Sequence, residues 1–259
     1  MKNASISIDT NELEKKVKDM YRQVALNPKG EFHFEMGRAL AERLGYLPED
    51  LDRIPTEAIE SFAGVGYYFH LANIKQGESV IDFGSGAGMD TFIAALKVGD
   101  SGRVVGIDMT EEQLEKAEDL RNTAGITNVR YLEGYLESVP SEAESFDVVI
   151  SNGVINLAPD KEKVFREMAR VLKPGGRIAI SDIVSEIQLS DGITCNINLW
   201  ASCIGGAMQQ DNYKTAIENA GLRIERIQDN PQYHFLSKSA QGASKDYKVK
   251  SISLLAVRI

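Results

Sequence analysis

Positive charge is the first scarcity in this chain. Its 259 residues carry 29 lysines and arginines against 38 acids, a formal net charge of −9. Surfaces that hold nucleic acid are basic, so no nucleic-acid partner is expected. The same balance disfavours an anionic membrane surface. Long apolar runs are missing too, and nothing approaches the roughly 18 residues that would suggest a membrane span. The opening M-K-N-A-S-I-S-I-D-T lacks the apolar core of a signal peptide. Cysteine is limited to Cys195 and Cys203, too few for a disulfide framework. The expectation is a soluble cytoplasmic protein with reduced thiols. Histidine is equally sparse: His33, His70 and His234 show no metal-ligand spacing, so no metal site is expected. Apolar residues are plentiful at 43 %, enough for a sizeable core.

The most informative stretch is S-V-I-D-F-G-S-G-A-G-M-D, Ser79 to Asp90. An apolar run ends in Asp82, and glycines follow at Gly84, Gly86 and Gly88 before a helix-like segment opens at Met89. This reads as strand, tight turn and helix N-terminus, with glycine where a side chain would block a ligand's approach to the backbone. A second apolar run, R-V-V-G-I, ends in Asp108, at the tip of the next strand, where a carboxylate can take both hydroxyls of a ribose. A dinucleotide fingerprint would place the third glycine one residue later and offer the turn to a pyrophosphate. Asp82 would repel such a diphosphate. It suits a ligand that carries an ammonium group and no phosphate.

Around this centre the pattern divides. Residues 1–72 read as an N-terminal helical cap, with helices over 11–26, 34–44 and 56–62 and a proline-bearing loop at 45–55. Residues 73–259 alternate strand and helix: strands at 79–83, 103–107, 129–132, 147–151, 177–181, 222–227 and 249–257, with an insertion near 183–212. Thr110 and Gln113 read as a capping box for the helix that follows. Only a polar segment, 228–248, separates the last two strands, which predicts an antiparallel pair. The fold class expected is α/β, a doubly wound, mostly parallel seven-stranded Rossmann-like sheet under a helical cap.

V-I-D-F-G-S-G-A-G-M-D, V-V-G-I-D-M-T-E-E-Q-L, F-D-V-V-I-S-N-G-V-I-N-L-A-P-D-K and V-F-R-E-M-A-R-V-L-K-P-G-G-R resemble the class I S-adenosylmethionine-dependent methyltransferases. Within them the chain is most similar to arsenite methyltransferases, as far as L-W-A-S-C-I-G-G-A at 199–207. The resemblance implies S-adenosyl-L-methionine as cofactor and a small-molecule substrate. It implies that Asp82, Gly84, Ser85, Gly86 and Gly88 surround the methionine part. Asp108 would hold the ribose, Met109 would pack on the adenine, and Gly134, Tyr135 and Leu136 would line the adenine edge. Ser151 and Asn152 would face the amino acid moiety and the acceptor.

The arsenite relatives grip trivalent arsenic, a soft acceptor, with three thiolates. Two of those places are Val65 and Gly153 here; only Cys203 remains, and Cys195 has no counterpart. Cys203 and Asn152 are therefore the candidate catalytic residues. The acceptor stays open between a soft nucleophile (arsenite-like or a thiol) and an organic oxygen, nitrogen or carbon. A reading from a different class is a protein that binds the cofactor without turnover. Aromatics around His33 and His70 are candidates to line the acceptor pocket, against the plainer role of packing the cap. Lys161 and Arg166 are expected to pair with acids on their own helix.

Overall fold

The computed structural model describes residues 9–201 and 204–259. Among these residues five helices come first: α1 (Thr10–Leu26), α2 (Arg38–Leu44), α3 (Pro48–Leu51), α4 (Thr56–Glu60) and α5 (Phe69–Ala72). The sheet then begins with β1 (Ser79–Phe83), α6 (Met89–Val98), β2 (Arg103–Asp108), α7 (Glu111–Thr123), β3 (Val129–Glu133) and β4 (Phe146–Asn152). It continues through α8 (Lys161–Val171) into a long β5 (Leu172–Ser185), then α9 (Asp191–Thr194), α10 (Ile197–Ala201) and β6 (Met208–Gln209). The chain ends with α11 (Gln210–Asn219), β7 (Leu222–Asp229), α12 (Lys238–Tyr247) and β8 (Val249–Arg258).

The strand order is β3-β2-β1-β4-β5-β8-β7, with β8 antiparallel to both neighbours and β1 to β5 all parallel. Central strands such as β4 are buried on both faces, as their unbroken apolar runs require. One core lies between the sheet and α8 and α11, built on Phe83, Phe146, Phe165 and Tyr213. A second lies between the opposite face, α6 and the helices α2 to α5, built on Tyr46, Tyr68 and Phe92. The order reverses between β1 and β4, so a crevice opens at their carboxyl ends, the place where such sheets take ligands.

The α/β sheet matches the expected class, with local differences, among them the short helix α3 inside the segment expected as a loop and an α4 that stops at Glu60 rather than 62. Among the described residues eight strands form rather than seven, because Met208 and Gln209 run beside Val184 and Ser185 at the extended end of β5. The second helix starts at Arg38 rather than at 34, because Gly37 sits at φ 83 and cannot continue a right-handed turn. Its would-be first turn instead stacks Phe32 on Phe34, with ring centroids 5.6 Å apart. Segment 228–248 contains a helix, α12, whose N-cap Ser237 accepts from Ala240 N. That helix buries only Ala240 and Ala243, so its sequence shows little apolar periodicity.

Candidate active site

The turn after β1 is held by its neighbour. Gly84 N and Ser85 N both donate to the Ile107 carbonyl of β2. Gly84, Gly86 and Gly88 adopt φ of 78°, 51° and 94°, the left-handed region. Space enforces glycine twice more: a Cβ at Gly84 would lie 2.5 Å from Val154 Cγ2, and one at Gly88 would fall on the Tyr131 hydroxyl. Asp108 ties turn to strand, since its Oδ2 accepts from Gly86 N at 2.9 Å and its Oδ1 from Thr110 N at 2.9 Å. Burial raises the Asp108 carboxyl above its ordinary pKa, and those N–H groups hold it back.

Asp82 and Asp90 form the floor. Both are buried, and burial followed by the charge of Asp90 pushes Asp82 well above the usual carboxylate range. Thr91 Oγ1 donates to Asp82 at 2.6 Å. Asp90 receives the hydroxyls of Tyr46 and Tyr68 at 2.7 and 2.6 Å and Asn152 Nδ2 at 3.1 Å. Burial raises Asp90 too, and these donors oppose it. Among the described residues no lysine or arginine pairs with either acid. Two buried carboxylates without a counter-ion make a site for a cation.

Above them lies a cleft of about 580 Å³, within the range of small-molecule sites. Its wall brings together Asp82, Gly84, Ser85, Gly86, Asp108, Met109, Gly134, Tyr135, Leu136 and Asn152. Gly88 stands just behind, as the N-cap of α6. Helix α1 forms the roof through Leu13, Glu14, Val17 and Tyr21. The Tyr135 hydroxyl is committed to that roof, donating to Glu14 Oε1 at 2.7 Å and accepting from Lys18 Nζ at 2.8 Å.

Ser151 does not belong to this wall. It is fully buried, and its hydroxyl donates to the Phe83 carbonyl, so it links β4 to β1. Asn152 borders the cleft, yet its amide is spent. Its Oδ1 accepts from Val65 N, and its Nδ2 donates to Tyr46 and the Gly66 carbonyl as well as to Asp90. It fixes the 65–66 backbone against the floor while bordering the cleft.

Cys203 lies outside the described residues. Cys195 is the partly buried C-cap of α9 and does not line the cleft. Val65 and Gly153 meet: a Cβ on Gly153 would lie 3.1 Å from Val65 Cγ1. The histidine-bearing aromatics pack the cap instead of lining the cleft; His70 stacks on Tyr67 with centroids 5.5 Å apart.

Arg166 pairs with Glu162 at 3.4 Å as expected. Lys161 does not pair on its helix. It is buried, donating to the Ala158 carbonyl at 2.8 Å with its ammonium 4.9 Å from the Trp200 ring centre.

Four contributors escaped the sequence reading. Asp90 is the last residue of the quoted motif, and its carboxylate two residues past the third glycine was a usable signal. Tyr46 and Tyr68 reach it from the cap, and no local pattern marks them. Gln113 was legible only as a cap. Thr110 makes no side-chain cap, and Gln113 Nε2 instead donates to the Tyr21 carbonyl of α1 at 2.8 Å.

The donor set fits S-adenosylmethionine: acids for a cationic amino acid end, an acid at the second strand tip for a ribose, and no phosphate cradle free of negative charge. Comparison with known proteins agrees. Residues 74–221 match the family model of the methyltransferase domain. The arsenite methyltransferase of Halobacterium salinarum is 39 % identical over 187 residues, covering 72 % of this chain and 48 % of that protein. The ubiquinone/menaquinone biosynthesis C-methyltransferase of an Enterobacter species is 30 % identical over 201 residues, covering 68 % and 76 %. The crystal structure of an arsenic(III) S-adenosylmethionine methyltransferase from Chlamydomonas reinhardtii superposes with a TM-score of 0.65 at 28 % identity, covering 86 % of this chain and 74 % of that one. The chain spans about half the length of the arsenite methyltransferases it most resembles among these. With more than half of its length inside the family model and the cradle at the β1–β4 switch point, the chain belongs to the class I S-adenosylmethionine-dependent methyltransferases.

Proposed function

We propose that this protein transfers the methyl group of S-adenosylmethionine to a small soft nucleophile, arsenite-like or a thiol, held by at most one protein thiolate. The observation that carries the transfer reading is the buried Asp82–Asp90 pair without a counter-ion. When bound, S-adenosylmethionine supplies an already activated methyl on a sulfonium, so the chain has little covalent work to do. Asp82 and Asp90 hold positive charge on the floor, and the glycine turn lets the ligand approach the backbone. Asp108 takes the ribose, and α1 keeps water out. Holding acceptor and methyl in line is the remaining task.

The acceptor reading rests on likeness to arsenite methyltransferases and on Cys203 in W-A-S-C-I. A three-thiolate grip is not available, because Val65 and Gly153 pack on each other where it would need sulfur. That apolar contact favours a second reading, an organic acceptor, in line with the likeness to a quinone-ring C-methyltransferase. Assays of methyl transfer to arsenite with added glutathione, to small thiols and to quinols separate the two. Cys203→Ser should abolish transfer to arsenite and leave an organic acceptor nearly untouched; no product from any acceptor counts against turnover itself. No helix among the described residues is long and apolar enough to cross a membrane. We place the activity in the cytoplasm, where thiols stay reduced.

A further inference from the structure

Helix α1 both roofs the cleft and leans on α7. Along its C-terminal half three side chains of α7 reach it: Glu112 pairs with Arg22 at 2.7 Å, Gln113 Nε2 donates to the Tyr21 carbonyl, and Lys116 Nζ donates to the Ala25 carbonyl at 3.1 Å. Of these only Gln113 also lines the cleft. It is buried, 2 % exposed, and its carboxamide oxygen has no hydrogen-bond partner among the described residues. That oxygen stands over the glycine turn, 3.6 Å from where a Cβ on Gly86 would lie, beside the amide that Asp108 already holds.

A buried acceptor without a donor is costly. Lifting α1 away from Gln113 would open that oxygen to water and relieve the cost. A ligand that offers a hydroxyl to Gln113 therefore stabilises the closed arrangement more than the open one, and such a difference is what shifts a population.

We infer that Gln113 is the link between cofactor and lid: its carboxamide oxygen accepts a hydrogen bond from a ribose hydroxyl of the bound nucleoside, while its N–H holds α1 at Tyr21. This rests on the S-adenosylmethionine reading of the cleft and goes beyond it, because it assigns one amide to both ligand affinity and lid closure. By linkage, whatever loosens that amide from the ligand also loosens α1's response to the ligand. Gln113 is a positioning residue, not a reacting one.

The test uses S-adenosylhomocysteine as probe, with calorimetric titration for affinity and hydrogen exchange of the α1 amides for closure. In the wild-type protein the probe should slow exchange across α1. Gln113→Leu should bind it about tenfold more weakly, the order expected for one lost hydrogen bond with its partner left buried, and should lose most of the ligand-induced slowing. Lys116→Met, off the cleft, should speed exchange of α1 in the ligand-free protein yet keep the slowing that the probe induces, with affinity within about twofold of wild type. A folded Gln113→Leu that keeps wild-type affinity, or keeps the full slowing, overturns the inference. If that variant does not fold, Gln113→Asn, too short to span both partners, is read by the same criteria. If the wild-type protein itself binds no S-adenosylhomocysteine, the cofactor reading fails and takes this inference with it; failure confined to the variants leaves the cofactor reading standing.

Discussion

Asp82 and Asp90 face the same cleft from the end of β1 and the first turn of α6, both buried, with the charge of Asp90 adding to the cost of ionising Asp82. Their neighbours supply hydroxyls and one amide and no positive charge. The ligand must bring that charge. Asp90→Asn keeps the shape and most hydrogen bonds but removes one acid. Affinity for S-adenosylmethionine should fall by about 10- to 100-fold, the scale of a desolvated charge pair losing one partner. S-adenosylhomocysteine keeps the same ammonium and should lose a similar factor. Titration of both ligands against both proteins measures this, and an Asp90→Asn protein that binds both as tightly as wild type would remove Asp90 from the cation site.

The same pair makes binding depend on pH, with a definite sign. The folded, ligand-free protein holds a proton on Asp82 above the usual carboxylate range. Stability from this group is therefore fully present below the unfolded value of 3.8 and is lost as pH rises through the raised folded value. A cationic ligand favours the ionised pair, so it must expel that proton. Affinity for S-adenosylmethionine should fall as pH falls through the raised value, and binding there should release protons. Calorimetry in two buffers of different ionisation enthalpy counts them. Asp82→Asn should flatten the pH dependence; a slope that survives the substitution would assign it to another group.

Gly88 offers a test of the turn. Its φ of 94° disfavours any side chain, and a Cβ there collides with the Tyr131 hydroxyl. Gly88→Ala should cost about 2–3 kcal/mol of stability, combining left-handed strain with overpacking. Tyr131→Phe removes the colliding oxygen. In the double variant about 1 kcal/mol should return, while the strain of the backbone remains. Urea unfolding of the four proteins measures this. Two costs that simply add would show that the collision relaxes elsewhere.

Much of this site is legible in the sequence, and the boundary is physical. The glycine turn, Asp82, Asp108 and the strands carry local signals: alternation of apolar runs, glycines at fixed spacing, an acid at a strand tip. The antiparallel ending of the sheet was legible from a connection without an obvious crossover, although α12 sits inside it. What stayed hidden comes from residues far apart in sequence. Tyr46 and Tyr68 meet Asp90 only after the cap folds against α6, and Asn152 reaches Val65 and Gly66 across more than eighty positions. Gln113 shows how a local rule can mislead. Its spacing from Thr110 fits a capping box, but the Tyr21 carbonyl of α1 is the partner it takes. Ser151 lies at the right strand end, but its hydroxyl is taken by the Phe83 carbonyl of β1, and one step along a strand reverses the sheet face.

Lys161 and Asp182 are shifted by burial in opposite senses. Both are buried at the end of the sheet beside the cleft. Burial lowers the Lys161 ammonium from 10.5 to about 8, with Asp182 opposing the shift, and raises Asp182 from 3.8 to about 6, held back by Ile183 N, the Tyr213 hydroxyl and Lys161. For Lys161 the folded state binds its proton less tightly than the unfolded chain. Its burden on stability is complete below about pH 8 and lifts as pH rises from 8 through 10.5. For Asp182 the sign reverses, and stability is lost as pH rises from 3.8 through about 6. Lys161→Met should flatten the thermal stability curve in the alkaline window. It should also move the acidic loss to higher pH, because Asp182 then has no ammonium to favour its charge. Melting temperatures measured across both windows decide it. An acidic limb that stays where it was in Lys161→Met would mean that the two charges do not feel each other, and that the Tyr213 hydroxyl and the backbone N–H groups alone set the Asp182 carboxylate.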